Sequence, residues 1–175
     1  MNRQFLLIAL AFFVCRMGWT DERKPTHQAD SPSVVGPSDG ASQRDSGNIV
    51  SMEIALADMS GRIHSLGQND RLFIRAFVFL STTCPIANSY TQELNRLSQS
   101  LPDGVELFGV VSDSFVTRQE ADKHFGEFGS QFPVLFDASG LLAEALKPTH
   151  VPEAFVLNRD GRLAYRGAID NAYQS

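Results

Sequence analysis

Cys84 is the one cysteine beyond the first fifteen residues. It lies in Phe77-Val-Phe-Leu-Ser-Thr-Thr-Cys-Pro-Ile-Ala-Asn-Ser-Tyr90, where an apolar, strand-like run gives way to a helix-like one. A thiol in the first turn of a helix faces unpaired backbone N–H groups and the positive end of the helix dipole, and both favour thiolate over thiol. The thiolate is the form that attacks disulfides, peroxides and soft metals. Ser81, Thr82 and Thr83 place three hydroxyls just before the sulfur. Such hydroxyls either donate hydrogen bonds to a thiolate or cap the helix that follows. The competing reading of Cys84 is a small, inert core residue. His27, His64 and His124 show no metal-ligand spacing and are expected in solvent, with Glu153 and Asp170 as turn and strand-end carboxylates.

The elements that must position this thiol follow from the apolar pattern. Leu72 to Leu80 is a nearly continuous apolar run, as expected for a central strand covered on both faces. After Cys84, the apolar positions Ile86, Tyr90, Leu94, Leu97 and Leu101 fall on one face of a single helix, which Pro102-Asp-Gly104 ends. Val105 to Ser112 is a second buried strand. Thr117-Arg-Gln-Glu120 is a capping box that opens a helix lined by Ala121, Phe125 and Phe128. Phe132 to Phe136 predicts a strand, Ser139 to Leu146 a short helix and Ala154 to Asn158 a strand. The Arg159-Asp-Gly161 turn leads into an antiparallel partner over Leu163 to Arg166. Upstream, Ser51 to Ala57, the turn Asp58-Met-Ser-Gly61 and Arg62 to Leu66 predict an N-terminal β-hairpin. Strands alternating with helices, then paired strands, predict a mixed α/β sheet flanked by helices.

Composition bounds the rest. A chain of 175 residues, 43% of them hydrophobic, can build one packed domain with tails. The net charge of −5 and the absence of any lysine or arginine cluster argue against nucleic acid as a partner. Arg3 followed by the apolar run Phe5 to Val14 reads as an export signal over residues 1–19, either cleaved or kept as a membrane anchor. A ten-residue helix covers only about 15 Å, half of a bilayer's hydrocarbon core. Residues 20–48 hold no aromatic residue and are punctuated by Pro25, Pro32 and Pro37, so they read as a disordered linker. The domain is expected over residues 49–175, in an extracytoplasmic location, periplasmic or membrane-tethered.

The strand, Thr82-Thr-Cys-Pro85 and helix, followed much later by Val151-Pro-Glu-Ala-Phe-Val-Leu-Asn-Arg-Asp-Gly161, resemble the thioredoxin fold. The likeness is to its redoxin branch, the alkyl hydroperoxide reductase/thiol-specific antioxidant proteins and the thiol-disulfide oxidoreductases of cytochrome c maturation, and covers about Ile49 to Asp170. It implies that Cys84 is the nucleophile, assisted by Ser81 and Thr83, and that Pro152 is a cis-proline facing the sulfur. Pro85, Val151 and Pro152 would then line the substrate groove. It also implies a closing helix after the last strand, which is missing here, so that the chain is expected to be a fragment or to borrow that layer.

The departures from the family are as telling. A dithiol oxidoreductase would carry a second cysteine where Ala87 stands. A peroxiredoxin would have the Ser or Thr that Ser81 supplies, but also a proline where Phe77 stands and an arginine near Pro152, where the sequence has none. Copper-binding relatives place a histidine at about the position of His150 but use a second cysteine where Asn88 lies. His150 is therefore a weak metal candidate, and no cofactor is expected. The reading is an exported oxidoreductase or antioxidant enzyme with a single nucleophilic cysteine. It would act on a protein disulfide or a peroxide and depend on an external thiol or dithiol reductant. The alternatives are a non-enzymatic copper- or thiol-partner-binding module and a redox-silent interaction domain of a larger protein.

Overall fold

A computed structural model describes residues 54–66 and 74–170. The expected signal or anchor over 1–19, the linker over 20–48, Leu72 at the predicted strand start and the chain's end beyond Asp170 lie outside them. The described elements are β1 (Ala55–Ala57), β2 (Ile63–Ser65), β3 (Ile74–Phe79), α1 (Pro85–Ser89), α2 (Thr91–Ser100), β4 (Val105–Val111), α3 (Arg118–Glu127), β5 (Val134–Phe136), α4 (Leu141–Leu146), β6 (Glu153–Leu157) and β7 (Leu163–Gly167).

β1 and β2 form the antiparallel hairpin, and the other strands form one sheet in the order β5-β4-β3-β6-β7. β3, β4 and β5 run parallel, β6 runs antiparallel to β3 and β7 antiparallel to β6, so the sheet is mixed as the alternation of elements predicts. β3 is buried along its whole length because both its faces are covered. Ile74, Ala76 and Val78 point into a core with Tyr90, Leu94, Leu97 and Phe125 from the helices on one side. Phe77 and Phe79 point into a second core with Leu56 of the hairpin and Leu142 and Leu146 of α4. Phe77 lies opposite Phe108 in the β3–β4 register, and their rings stack 5.8 Å apart. The hairpin is tied to the sheet edge by the Met59 N–H to Val134 carbonyl bond, 3.0 Å, and by a bridge between Asp58 and Leu135.

Three expectations change in detail. The helix predicted after Cys84 is two pieces, α1 and α2, that meet at Tyr90, whose backbone N–H turns to the Ala87 carbonyl rather than to the residue four back. The break also turns the short first piece: Ile86, placed on the apolar face by its spacing, is exposed, and Ala87 is buried instead, while Tyr90, Leu94 and Leu97 keep the expected face. The strand expected from Phe132 starts at Val134, because Pro133 has no N–H to give the ladder and contributes only its carbonyl, which accepts from Gly109. The helix expected from Ser139 starts at Leu141: Gly140, at φ 71°, occupies the N-cap without a side chain, and the Asp137 carboxylate accepts the Ala143 N–H at 2.9 Å instead.

Candidate active site

Cys84 is the N-cap of α1, half-buried and free. Its extended backbone, φ −92° and ψ 111°, turns the side chain back over the helix start, and the Ala87 N–H donates to Sγ at 3.5 Å. Pro85 follows in the first turn, where its missing N–H costs nothing. On the other side the thiol donates to the Val151 carbonyl at 3.8 Å. The Val151–Pro152 peptide bond is cis. Val151 and Ile86 are exposed apolar side chains on the two segments that carry the sulfur and its facing carbonyl.

Ser81 and Thr83 sit in the same turn, but their hydroxyls bond each other at 3.1 Å. The Ser81 hydroxyl also accepts the Thr83 N–H, and the Ser81 carbonyl accepts the Cys84 N–H. Among the described residues, the hydrogen bonds at Sγ are those with the Ala87 N–H and the Val151 carbonyl. Ser81 and Thr83, which could donate to the sulfur or cap the helix, bond each other in this structure rather than Sγ.

The loop that carries Val151 is pinned from behind by Glu153, the first residue of β6, whose side chain is 3% exposed. Its carboxylate accepts from Arg166 Nε at 2.8 Å and from the Thr149 N–H at 2.6 Å, while Arg166 also donates to the Lys147 carbonyl at 2.8 Å. Burial pushes the Glu153 carboxyl up. The bonds from Arg166 and Thr149, with the positive field of Arg166, outweigh it and hold the group below its ordinary value. An arginine thus does approach the Pro152 segment, from β7 rather than from nearby sequence. Its recorded bonds go to Glu153 and Lys147. His150 is exposed beside this loop, 3.0 Å from the Thr149 hydroxyl. Among the described residues no group of three or more histidine, cysteine, aspartate or glutamate side chains is placed to hold a metal ion.

Two histidines expected in solvent are not there. His64 Nε2 lies 2.7 Å from the Asp58 carboxylate, and its ring packs edge-on against Phe108. Burial raises Asp58, but bonds from Ser60, His64 and the Arg62 N–H bring it below its ordinary value. His124 reaches Asn88, in the helix that Cys84 caps, at 3.0 Å. His27 lies outside the described residues. The His64 partner was within reach of hairpin pairing, since Leu56 pairs with His64 two residues from Asp58. The His124 partner, 36 positions away, left no local signal.

A family model described as Redoxin matches residues 45–172. No curated protein matches the chain. Among solved structures, an uncharacterized conserved protein from Geobacillus kaustophilus is similar with a TM-score of 0.62 and 23% identity, over 71% of this chain and 70% of that one. An exposed lipoprotein thioredoxin from Streptococcus pneumoniae is similar with a TM-score of 0.61 and 18% identity, over 66% and 87%. A secreted disulfide oxidoreductase from Mycobacterium tuberculosis is similar with a TM-score of 0.54 and 17% identity, over 63% and 80%. At these identities the likeness establishes the fold, which is thioredoxin-like.

Proposed function

The chain belongs to the Redoxin family, and from that premise we propose that it is an exported thiol-dependent oxidoreductase whose single nucleophile, Cys84, is regenerated by an external thiol. The observation that carries the reading is the seat of Sγ. It lies at a helix start, half-exposed, between the Ala87 N–H and the Val151 carbonyl, with a methyl group at the position where a dithiol enzyme has its second sulfur.

The chemistry follows from that seat. The Cys84 thiolate attacks one sulfur of a disulfide, forming a mixed disulfide and expelling the other sulfur as a thiolate, which takes up a proton. The thiolate of an external reductant then attacks the mixed disulfide, takes over the substrate sulfur and returns the electron pair to Cys84. With a peroxide, the thiolate attacks one oxygen, the O–O bond breaks, and the second oxygen leaves as an alcohol or water after protonation. The resulting sulfenic acid condenses with one external thiol, losing water, and a second thiol releases Cys84. In either sequence the Ala87 N–H stabilises negative charge on sulfur, while Val151 and Pro152 line the groove that receives the substrate.

Export is supported by Arg3 and the apolar run Phe5 to Val14, and by the secreted and lipoprotein origins of two similar structures. On this reading residues 1–19 are the signal or anchor and 20–48 the linker. The test is to incubate the reduced chain with oxidised glutathione and, separately, with hydrogen peroxide, and to read Cys84 by peptide mass. A mixed disulfide or sulfenic acid at Cys84, absent in Cys84→Ser and cleared by added dithiol with substrate turnover, is expected. A Cys84 that reacts no faster in the native chain than in the urea-unfolded chain overturns the reading.

A further inference from the structure

Resting on the reading of Cys84 as the nucleophile, we propose that His124 and Asn88 form a latch that positions the Cys84 turn, so that His124, on a different helix, acts on the sulfur's reactivity without touching it. Asn88 lies one turn beyond the N-cap, its backbone N–H donating to the Cys84 carbonyl at 3.0 Å. Its side-chain amide donates to the Thr82 carbonyl at 3.4 Å and faces His124 Nε2 with its oxygen at 3.0 Å. The chemistry of these groups fixes the direction of every bond. A carbonyl only accepts, so the amide nitrogen must point at Thr82. The amide oxygen also only accepts, so Nε2 of His124 must carry the proton. The chain His124 Nε2–H to Asn88 Oδ1, then Nδ2–H to Thr82 O, runs one way into the turn.

The latch is braced at both ends. The His124 ring packs at 4.6 Å from the Phe128 ring and 5.2 Å from that of Phe125, which hold its plane. At the other end, Thr82 lies two residues before Cys84 and Asn88 four after, so the amide clamps the turn across the N-cap. The extended backbone of Cys84 that aims Sγ between the Ala87 N–H and the Val151 carbonyl lies inside that clamp. Opening it frees the turn to rotate the sulfur away from both partners. His124 is a positioning residue in this scheme.

The experiment measures the rate at which iodoacetamide alkylates Cys84 in the full-length reduced chain, by peptide mass, against the same chain unfolded in urea. His124→Phe keeps a ring between the two phenylalanines and removes the donor, Asn88→Ala removes the amide, and His124→Gln restores an N–H donor. The expectation is a change of about fivefold in rate for His124→Phe and for Asn88→Ala, the equivalent of one net hydrogen bond. The double variant should change no further, and His124→Gln should stay within about twofold of the parent. Circular dichroism selects folded variants, and Asn88→Ala carries the test if His124→Phe does not fold. Unchanged rates in folded variants, additive effects or a failed rescue by Gln overturn the latch while leaving Cys84 as nucleophile. A parent chain whose native Cys84 is no faster than the unfolded one overturns both.

Discussion

The sulfur of Cys84 and the carbonyl of Val151 face each other across 3.8 Å although 67 positions separate them in sequence. The sheet makes that meeting. β3 and β6 are antiparallel neighbours, and the last residue of β3, Phe79, lies opposite the first residue of β6, Glu153. The turn leaving β3 and the segment entering β6 therefore reach the same end of the sheet together, and each has only a few residues in which to place its atom.

Ala87→Cys tests the single-thiol scheme. Residues three apart on a helix have their Cβ atoms about 5–6 Å apart, and a short adjustment of the N-cap residue brings two sulfurs into bonding range. The variant should form an 84–87 disulfide on mild oxidation, seen as the loss of two alkylatable thiols. It should also release a mixed-disulfide partner without added reductant. A variant that keeps both thiols alkylatable after oxidation would sink the prediction.

Arg166→Met tests what holds the Val151 loop. The substitution leaves the buried Glu153 carboxylate with its Thr149 bonds but without its cation. A loss of about 1–3 kcal/mol is expected, at the lower end because the guanidinium is itself about a third exposed. The urea midpoint at neutral pH measures it, and Arg166→Met combined with Glu153→Gln should recover part of the loss.

Acid should weaken the fold through Glu153 and Asp58. Both are held below their ordinary values of 4.5 and 3.8, so the unfolded chain takes up protons first as pH falls. Their contribution is complete above those values and is lost as pH drops through the lower folded-state ones. Urea midpoints between pH 6 and pH 3 should fall for the parent, and fall less steeply for Glu153→Gln. Equal slopes would remove Glu153 as a cause.

Gly109→Ala should destabilise without touching the thiol. A methyl group there would meet Phe132 at 2.9 Å, Leu80 at 3.1 Å and Val134 at 3.3 Å, closer than packed side chains tolerate. A loss of about 1–3 kcal/mol is expected from such overpacking. Thermal unfolding should show it, with alkylation of Cys84 in the folded protein unchanged.

What could be read from the residues was what depends on neighbours in sequence. The capping box of Thr117 and Glu120 is present in both directions, because its partners are three residues apart. The buried run through Phe77 and the turn at Asp160-Gly161 announced a central strand and a returning pair for the same reason. Tyr90 hid its break because the spacing from Ile86 to Tyr90 is helical whether or not Ile86 faces the core, and in the fold Ile86 faces out while Tyr90, Leu94 and Leu97 are buried. For Ser81 and Thr83 the residues leave two uses open, donation to sulfur or capping, because proximity in sequence says nothing of direction; in the turn their hydroxyls bond each other. Asn88 read only as a missing cysteine, since the ring that occupies it comes from another helix.

The hairpin's seat on β5 has a consequence beyond the thiol. An edge strand offers a row of free N–H and C=O groups on which another chain can build. On β5 part of that row is taken by Met59 and Asp58, and the Asp58–His64 pair keeps the hairpin closed over it. The hairpin is a seal against growth of the sheet. A chain that lost it would bare both the β5 edge and the core side of Phe77 and Phe79, and clumping would follow.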